Sequence, residues 1–319
     1  MNRLALVHAG DLVARELREQ LGRRRELWSD LRLFTTDEDE AGTLTELAGA
    51  ASLVQRLETD SLEGVDVVFF GGPMSRNRPL LEGLAPGTVA VVLSPDAEPE
   101  DGEPIVAGVN LGRARRDVPL LSPHPAVVAL AHLLHPLLAY QPRQASATLL
   151  EPASALGAAA LDEVLEQSRA ILAFDGEVPR EVYGAQQAFN VLPNPTAPSW
   201  SIARHLRRVL ESELPVAVQA LRAGVFHSYG ISLHLAFDDD PGLGGLRAAL
   251  DEQPQIELVE RPEVLGPIDA AARDELLVGT VEEAADGGYW LWAVMDNLTC
   301  GGAANAVRIL EAISRQSVH

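Results

Sequence analysis

Short, near-continuous apolar runs alternate with amphipathic stretches through the first part of the chain. RLALVHA precedes the helix-like LVARELREQLG, and LRLFTT, VDVVFFGG, TVAVVLS and VPLLSP follow. Strands buried on both faces of a parallel sheet read as unbroken apolar runs, whereas half-exposed strands alternate. The pattern therefore predicts a doubly wound, Rossmann-like α/β domain at the N-terminus. SPDAEPEDGEP, between two of these runs, reads as a polar surface loop punctuated by proline.

From about residue 144 the pattern changes. ASATLLEP predicts a strand, and SALGAAALDEVLEQSRAIL a long amphipathic helix with Ser154 as its N-cap. The proline-punctuated stretch 175–199 reads as an irregular connection, followed by a helix at about 199–212. PVAVQALRAGVF, SYGISLHLAF, LLVGTVEEA and YWLWAVMD then predict strands, with turn signals such as ADGG between some of them. This order predicts an α+β domain with a mostly antiparallel sheet. The last segment, GGAANAVRILEAISRQ, is helical in pattern.

Composition narrows the function. A chain of 319 residues at 47% hydrophobic suits two modest cores, so two domains are expected. The net charge of −21, spread along the chain, repels phosphate backbones and anionic lipid, so neither nucleic acid nor membrane is an expected partner. No signal-peptide-like start and no spanning apolar run is seen, and a cytoplasmic location is the expectation. Cys300 is the single cysteine, which excludes an internal disulfide and a cysteine-rich zinc site. The absence of any lysine excludes Schiff-base chemistry on the protein and a P-loop lysine. His124, His132 and His135 have no carboxylate at a matching helical spacing, so no metal is expected.

Three stretches carry a resemblance. DNLTCGGAANAVRILE at 296–311 is similar to a DNLxxGAAxNAVxIAE signature, AFNVLP at 188–193 to an FNxIP segment, and LLEPASALGAAALDEV at 149–164 to TYQxVSGxGxxAxxEL. Together and in this order they resemble the aspartate-semialdehyde dehydrogenase family. The resemblance implies an NADP-binding-type Rossmann domain over 1–125 completed by the C-terminal segment 298–319, and a dimerising, substrate-type α+β domain over 126–297. It also implies a cysteine nucleophile, hydride transfer to NADP and a histidine that manages protons.

At the positions that match the family's functional motifs, this chain departs. The nucleophile's turn, NPNCST in the family, aligns with SPHPAV, and the cysteine's place falls on Pro125, a residue suited to the first turn of a helix. The acid-base histidine of RVPVxxGHS falls on Tyr229 of RAGVFHSYG, with Arg222 retained. His227, two residues earlier, is expected to share a strand face with Tyr229 by period-two alternation. In the cofactor loop, GATGxVG in the family, VHAGDLVA puts His8, Asp11 and Ala14 at the glycine positions. TTDEDEAG then brings four acids, Asp37 to Glu40, to the region of the 2'-phosphate. No NADP or other cofactor is expected.

Some residues keep two readings. Cys300, at the start of the last helix, is either a small packing side chain or a thiol activated by a helix N-terminus. Glu151 stands where the family has a substrate-site glutamine, and reads as a solvated or Arg-paired carboxylate or as a general base. Arg222 either holds a substrate carboxylate or pairs internally. The stripe Tyr289, Trp290 and Trp292 reads as core and interface packing. The expected function is a catalytically inactive, Usg-type homologue, homodimeric, serving as a scaffold or as a subunit for a protein partner. The alternatives are a small-molecule binder using Arg222, Glu151, Asn190, His124 and His227, or an oxidoreductase of the same type with relocated catalytic groups.

Overall fold

The computed structural model describes residues 2–174, 176–194, 199–285 and 287–316. In chain order its principal elements begin with β1 (Asn2–Val7), α1 (Leu12–Gly22), β2 (Trp28–Thr35), β3 (Leu44–Leu47), β4 (Ala50–Arg56) and β5 (Val67–Phe70). Next come α2 (Met74–Glu82), β6 (Val89–Val92), β7 (Glu103–Pro104), β8 (Leu120–Leu121), α3 (Pro125–Leu134), β9 (Pro142–Glu151), α4 (Ala158–Leu172) and β10 (Val191–Pro193). The chain closes with α5 (Ser199–Leu210), β11 (Val216–Ala223), β12 (Tyr229–Phe237), α6 (Leu243–Asp251), β13 (Ile256–Leu258), β14 (Leu276–Glu283), β15 (Tyr289–Met295) and α7 (Asn305–Gln316).

Two compact units result. The first holds residues 1–128, 208–210 and 301–319, and the second 129–207 and 211–300. The first unit is built on an eight-stranded sheet ordered β3-β4-β2-β1-β5-β6-β8-β7, parallel except for the β3–β4 pair. The apolar runs form its centre because β1, β5 and β6 are buried on both faces. One face carries Leu4, Leu6, Val67, Phe69 and Val91, packed with Leu17 and Leu21 of α1 and Val307, Leu310 and Ile313 of α7. The other face carries Val7, Phe34, Val68, Phe70 and Val92 with Met74 of α2.

The β3–β4 hairpin was not legible in the sequence, since TLTELAGAASLVQR is mostly exposed and carries no strong alternation. SPDAEPEDGEP is not wholly a surface loop: Pro99 is buried, a 3-10 turn spans Pro99–Asp101, and the segment ends in β7.

The second unit's sheet runs β10-β11-β9-β12-β15-β14-β13, parallel at β11–β9 and β13–β14 and antiparallel elsewhere. Its two faces differ. Ala145, Ala147, Leu149, Ile231, Leu233, Leu235, Leu291 and Met295 face one way and are buried. On the other side stand Ser146, Ala217 and Gln219, exposed, with Thr148, Ser232 and His234 half-buried and Trp290 42% exposed. The fold class expected from the sequence, a Rossmann-like domain with an α+β domain of mostly antiparallel sheet, is the one observed.

Ser154 is not the N-cap of α4. It lies in a 3-10 turn, Ala153–Leu156, and α4 starts after Gly157, whose φ of +99° sets the entry angle. The Ser154 hydroxyl instead donates to Asn297 Oδ1 at 3.0 Å. His227 does not share a strand with Tyr229 either. β12 begins at Tyr229, and Ser228 between them has φ +71°, which breaks the alternation.

Candidate functional site

In the first unit, the turn from β1 into α1 is where a dinucleotide-binding fold presents backbone amides to a pyrophosphate. Here His8 has φ +59° and is 4% exposed. Burial, and then the charge of Arg76, hold its imidazole below the ordinary range. Asp11 precedes α1 as N-cap residue without accepting a side-chain capping bond. Its carboxylate turns instead toward Gly71–Gly72 and accepts the Gly72 amide. Gly72, at φ +68°, holds a backbone conformation that a side chain would strain, and a Cβ there would sit tightly, 3.0 Å from Asp11 Oδ2 and 3.2 Å from His8 Cδ2. Burial and the neighbouring Glu40 raise the Asp11 carboxyl above its usual range. Ala14 is buried inside α1 and faces the core.

Glu40 completes this turn. A Cβ added to Gly10 would land on the Glu40 carboxylate, and Thr35 Oγ1 donates to Glu40 Oε2 at 2.8 Å. The residues therefore do not fit a dinucleotide phosphate: two carboxylates, Asp11 and Glu40, occupy the turn where an anion would approach. Beyond the ends of β2 and β5, Thr36, Asp37, Glu38, Ser75, Arg76 and Pro79 line an open depression of about 610 Å³.

The turn SPHPAV, also in the first unit at its start, is held by structure. Ser122 Oγ accepts from Asn305 Nδ2 at 2.9 Å, and Asn305 Oδ1 accepts from the amide of Ala107 at 2.8 Å. Pro125 is the first residue of α3, and His124 Nδ1 accepts from the Ala126 amide at 3.2 Å, serving as a cap.

In the second unit, three strand ends bring a charged row together. Arg222 of β11 is in parallel register with Glu151 of β9, and Tyr229 opens β12 beside Glu151. Glu151 is 3% exposed and accepts from Tyr229 Oη at 3.4 Å and from Asn194 Nδ2. Burial pushes the Glu151 carboxyl up, against the opposing pull of those donors and of Arg222. Tyr229 is fully buried, and its phenol is held well above its ordinary range by burial and by Glu151. The Arg222 guanidinium lies 6.0 Å over the Tyr183 ring, whose phenol burial pushes up to about 12.

Asn190 is not part of this row. Its side chain closes its own loop, donating to the Gln186 carbonyl and accepting from the Val191 amide, and it is exposed. The neighbour that does reach Glu151 is Asn194, which the sequence pattern did not single out. His227 sits half-buried in the bend before β12. Also unforeseen were Glu163 and Gln167 of α4. Glu163 accepts the amides of Val182 and Tyr183, while Gln167 bonds the amides of Gln187 and Ala188 and the carbonyls of Pro179 and Ala185. Their i, i+4 spacing was the available signal.

The DNLTCGG stretch is structural in the same sense. Asp296 caps a π-helical turn, Thr299–Ala304, by accepting from Leu298 and Thr299, and Asn297 Oδ1 accepts from Ser154 and from the Ser228 amide. Cys300 within that turn is fully buried.

No family model matches the chain. It is 32% identical over 301 residues to a USG-1 protein homolog of Azotobacter vinelandii, covering 86% of this chain and 87% of that one. The chain belongs to the aspartate-semialdehyde dehydrogenase family, alongside the USG-1 homologues. An aspartate-semialdehyde dehydrogenase of Streptomyces akiyoshiensis is 28% identical over 342 residues, covering 98% of this chain and 99% of that protein. A solved structure described as a probable aspartate-semialdehyde dehydrogenase from Pseudomonas aeruginosa superimposes with a TM-score of 0.90 at 26% identity, over 99% of both chains. The semialdehyde dehydrogenase signature at 296–311 thus marks hydrogen bonds that build the fold, in Asp296, Asn297 and Asn305.

Proposed function

We propose that this chain keeps the architecture of the semialdehyde dehydrogenases without their oxidoreduction, and serves as a homodimeric scaffold or as a subunit for a protein partner. The observation that carries this reading is the state of the one thiol. Thiolate chemistry needs an accessible sulfur in an electropositive setting, and Cys300 is fully buried in the π-helical turn. On the family alignment the nucleophile's place belongs to Pro125, which has no group to form a thioester, and the acid-base place to Tyr229. The carboxylates in the β1–α1 turn argue against NADP.

The open face of the second unit's sheet supports the homodimer. Small side chains, Ser146, Thr148, Ala217 and Ser232, share this face with Trp290, whose ring lies tilted against that of His234 with centroids 4.7 Å apart. An exposed face of mostly small or polar residues with an exposed tryptophan suits close approach of a second copy. Among the described residues no helix is long and apolar enough to cross a membrane.

Calorimetric titration of NADP and NAD into the purified chain tests the reading, together with an assay of phosphate-dependent oxidation of aspartate semialdehyde. The expected result is no saturable heat and no turnover. Binding tighter than about 100 μM, roughly −5.5 kcal/mol, with turnover, would overturn it.

A further inference from the structure

The turn after β1 is not simply unsuited to an anion; it already holds one. Glu40 reaches back from the segment after β2, and its carboxylate lies against Gly10, the single glycine left in VHAGDLVA. Thr35 Oγ1 fixes one oxygen at 2.8 Å. The segment is preformed: the Ala41 amide bonds the Asp37 carbonyl, and the Thr43 amide and hydroxyl both bond the Glu40 carbonyl, at 3.2 and 2.7 Å. Three arginines lie near the turn. Arg15 Nε donates to the Gly10 carbonyl at 2.8 Å, Arg18 lies within electrostatic reach of Glu40, and Arg76 within reach of the neighbouring Asp11. His8, 4% exposed, lies beside this turn with Asn77 as its side-chain hydrogen-bond partner.

We propose that Glu40 is a tethered, self-inhibitory anion: its carboxylate fills the phosphate position of the β1–α1 turn, and the segment 36–43 is a strap that excludes phosphate-bearing ligands from it. A group tethered by a short, ordered segment competes at an effective concentration on the order of mM or more. A free phosphate ester must displace it and also face the Asp11 carboxylate. The strap is independent of whether the chain is an active enzyme, because it concerns only occupancy of the turn.

The test uses the full chain, with inorganic pyrophosphate as the probe in calorimetry. Glu40→Ala empties the position. Asp39→Ala removes the same charge from the same segment without touching Gly10. The expected outcome is no saturable heat up to about 2 mM for the wild type and for D39A, and binding at least about tenfold tighter for E40A. If circular dichroism shows E40A unfolded, Glu40→Gln, which keeps the Thr35 contact and drops the charge, is to show a gain of about threefold or more. A folded E40A with no gain, a gain in D39A equal to that in E40A, or wild type that binds as tightly as E40A would each overturn the strap. Turnover by the wild type would instead overturn the inactive reading alone. An E40A chain that binds pyrophosphate but oxidises no semialdehyde fits both.

Discussion

Tyr229 Oη donates to Glu151 at 3.4 Å, and both residues are buried at the ends of adjacent strands. A carboxyl in that position is more easily neutral than one in water, so its pKa in the fold lies above the ordinary 4.5. The sign of the linkage follows. The contribution of Glu151 to stability is complete below 4.5 and is lost as pH rises through the folded value, because there the unfolded chain holds fewer protons than the native one. Glu151→Gln removes this titration. The difference in urea midpoint between E151Q and wild type is expected to move in the variant's favour from pH 4 to pH 8; a constant difference would refute it.

Gln167 is fully buried and bonds four backbone groups of the connection that precedes β10. Gln167→Ala leaves those groups without partners in a dry site. It is expected to destabilise the chain by about 3 kcal/mol, given roughly 1–3 kcal/mol for an unsatisfied buried group. Urea unfolding reads the loss, and a change below about 1 kcal/mol would show that solvent replaces the amide.

The thiol of Cys300 is enclosed in the π-helical turn. In the native chain it should react with an aromatic disulfide reagent only on the timescale of unfolding, and stoichiometrically in denaturant. Fast labelling under native conditions would mean an accessible sulfur, and would reopen thiolate chemistry.

Trp290 stands in the open sheet face. Trp290→Asp puts a charge into the surface proposed for the second copy, and it is expected to weaken self-association by about 100-fold or more, roughly 2.7 kcal/mol or more. Light scattering across a dilution series measures this. A wild type that is monomeric at micromolar concentration would refute the homodimer, and a W290D chain that stays dimeric would place its interface elsewhere.

Much of the architecture lay open in the sequence because its cause is local. LVARELREQLG has the apolar spacing of one helix, and VDVVFFGG and TVAVVLS are apolar without interruption because both faces of β5 and β6 are buried. The β3–β4 hairpin lacked such a cause: most of it faces water and no burial imprints a pattern on it. Ser154 misled for a related reason. Its position before an amphipathic run is that of a cap, but the hydroxyl found Asn297, a partner 143 residues away.

The same division holds for chemistry. Residue identity by itself established that the chain has one cysteine and no lysine and that Asp37 to Glu40 are consecutive acids, while the placing of Pro125 and Tyr229 at the family's nucleophile and acid-base positions is what the resemblance implies. Covalent composition needs no fold to be read. Only the tertiary structure decided that one of those four acids, Glu40, turns back onto Gly10, that Asn194 and not Asn190 meets Glu151, and that Cys300 is sealed from solvent. Those outcomes depend on which side chain a returning segment carries to a given place, and on how much water is excluded there. Both are set by packing between residues distant in the chain, which no local spacing encodes.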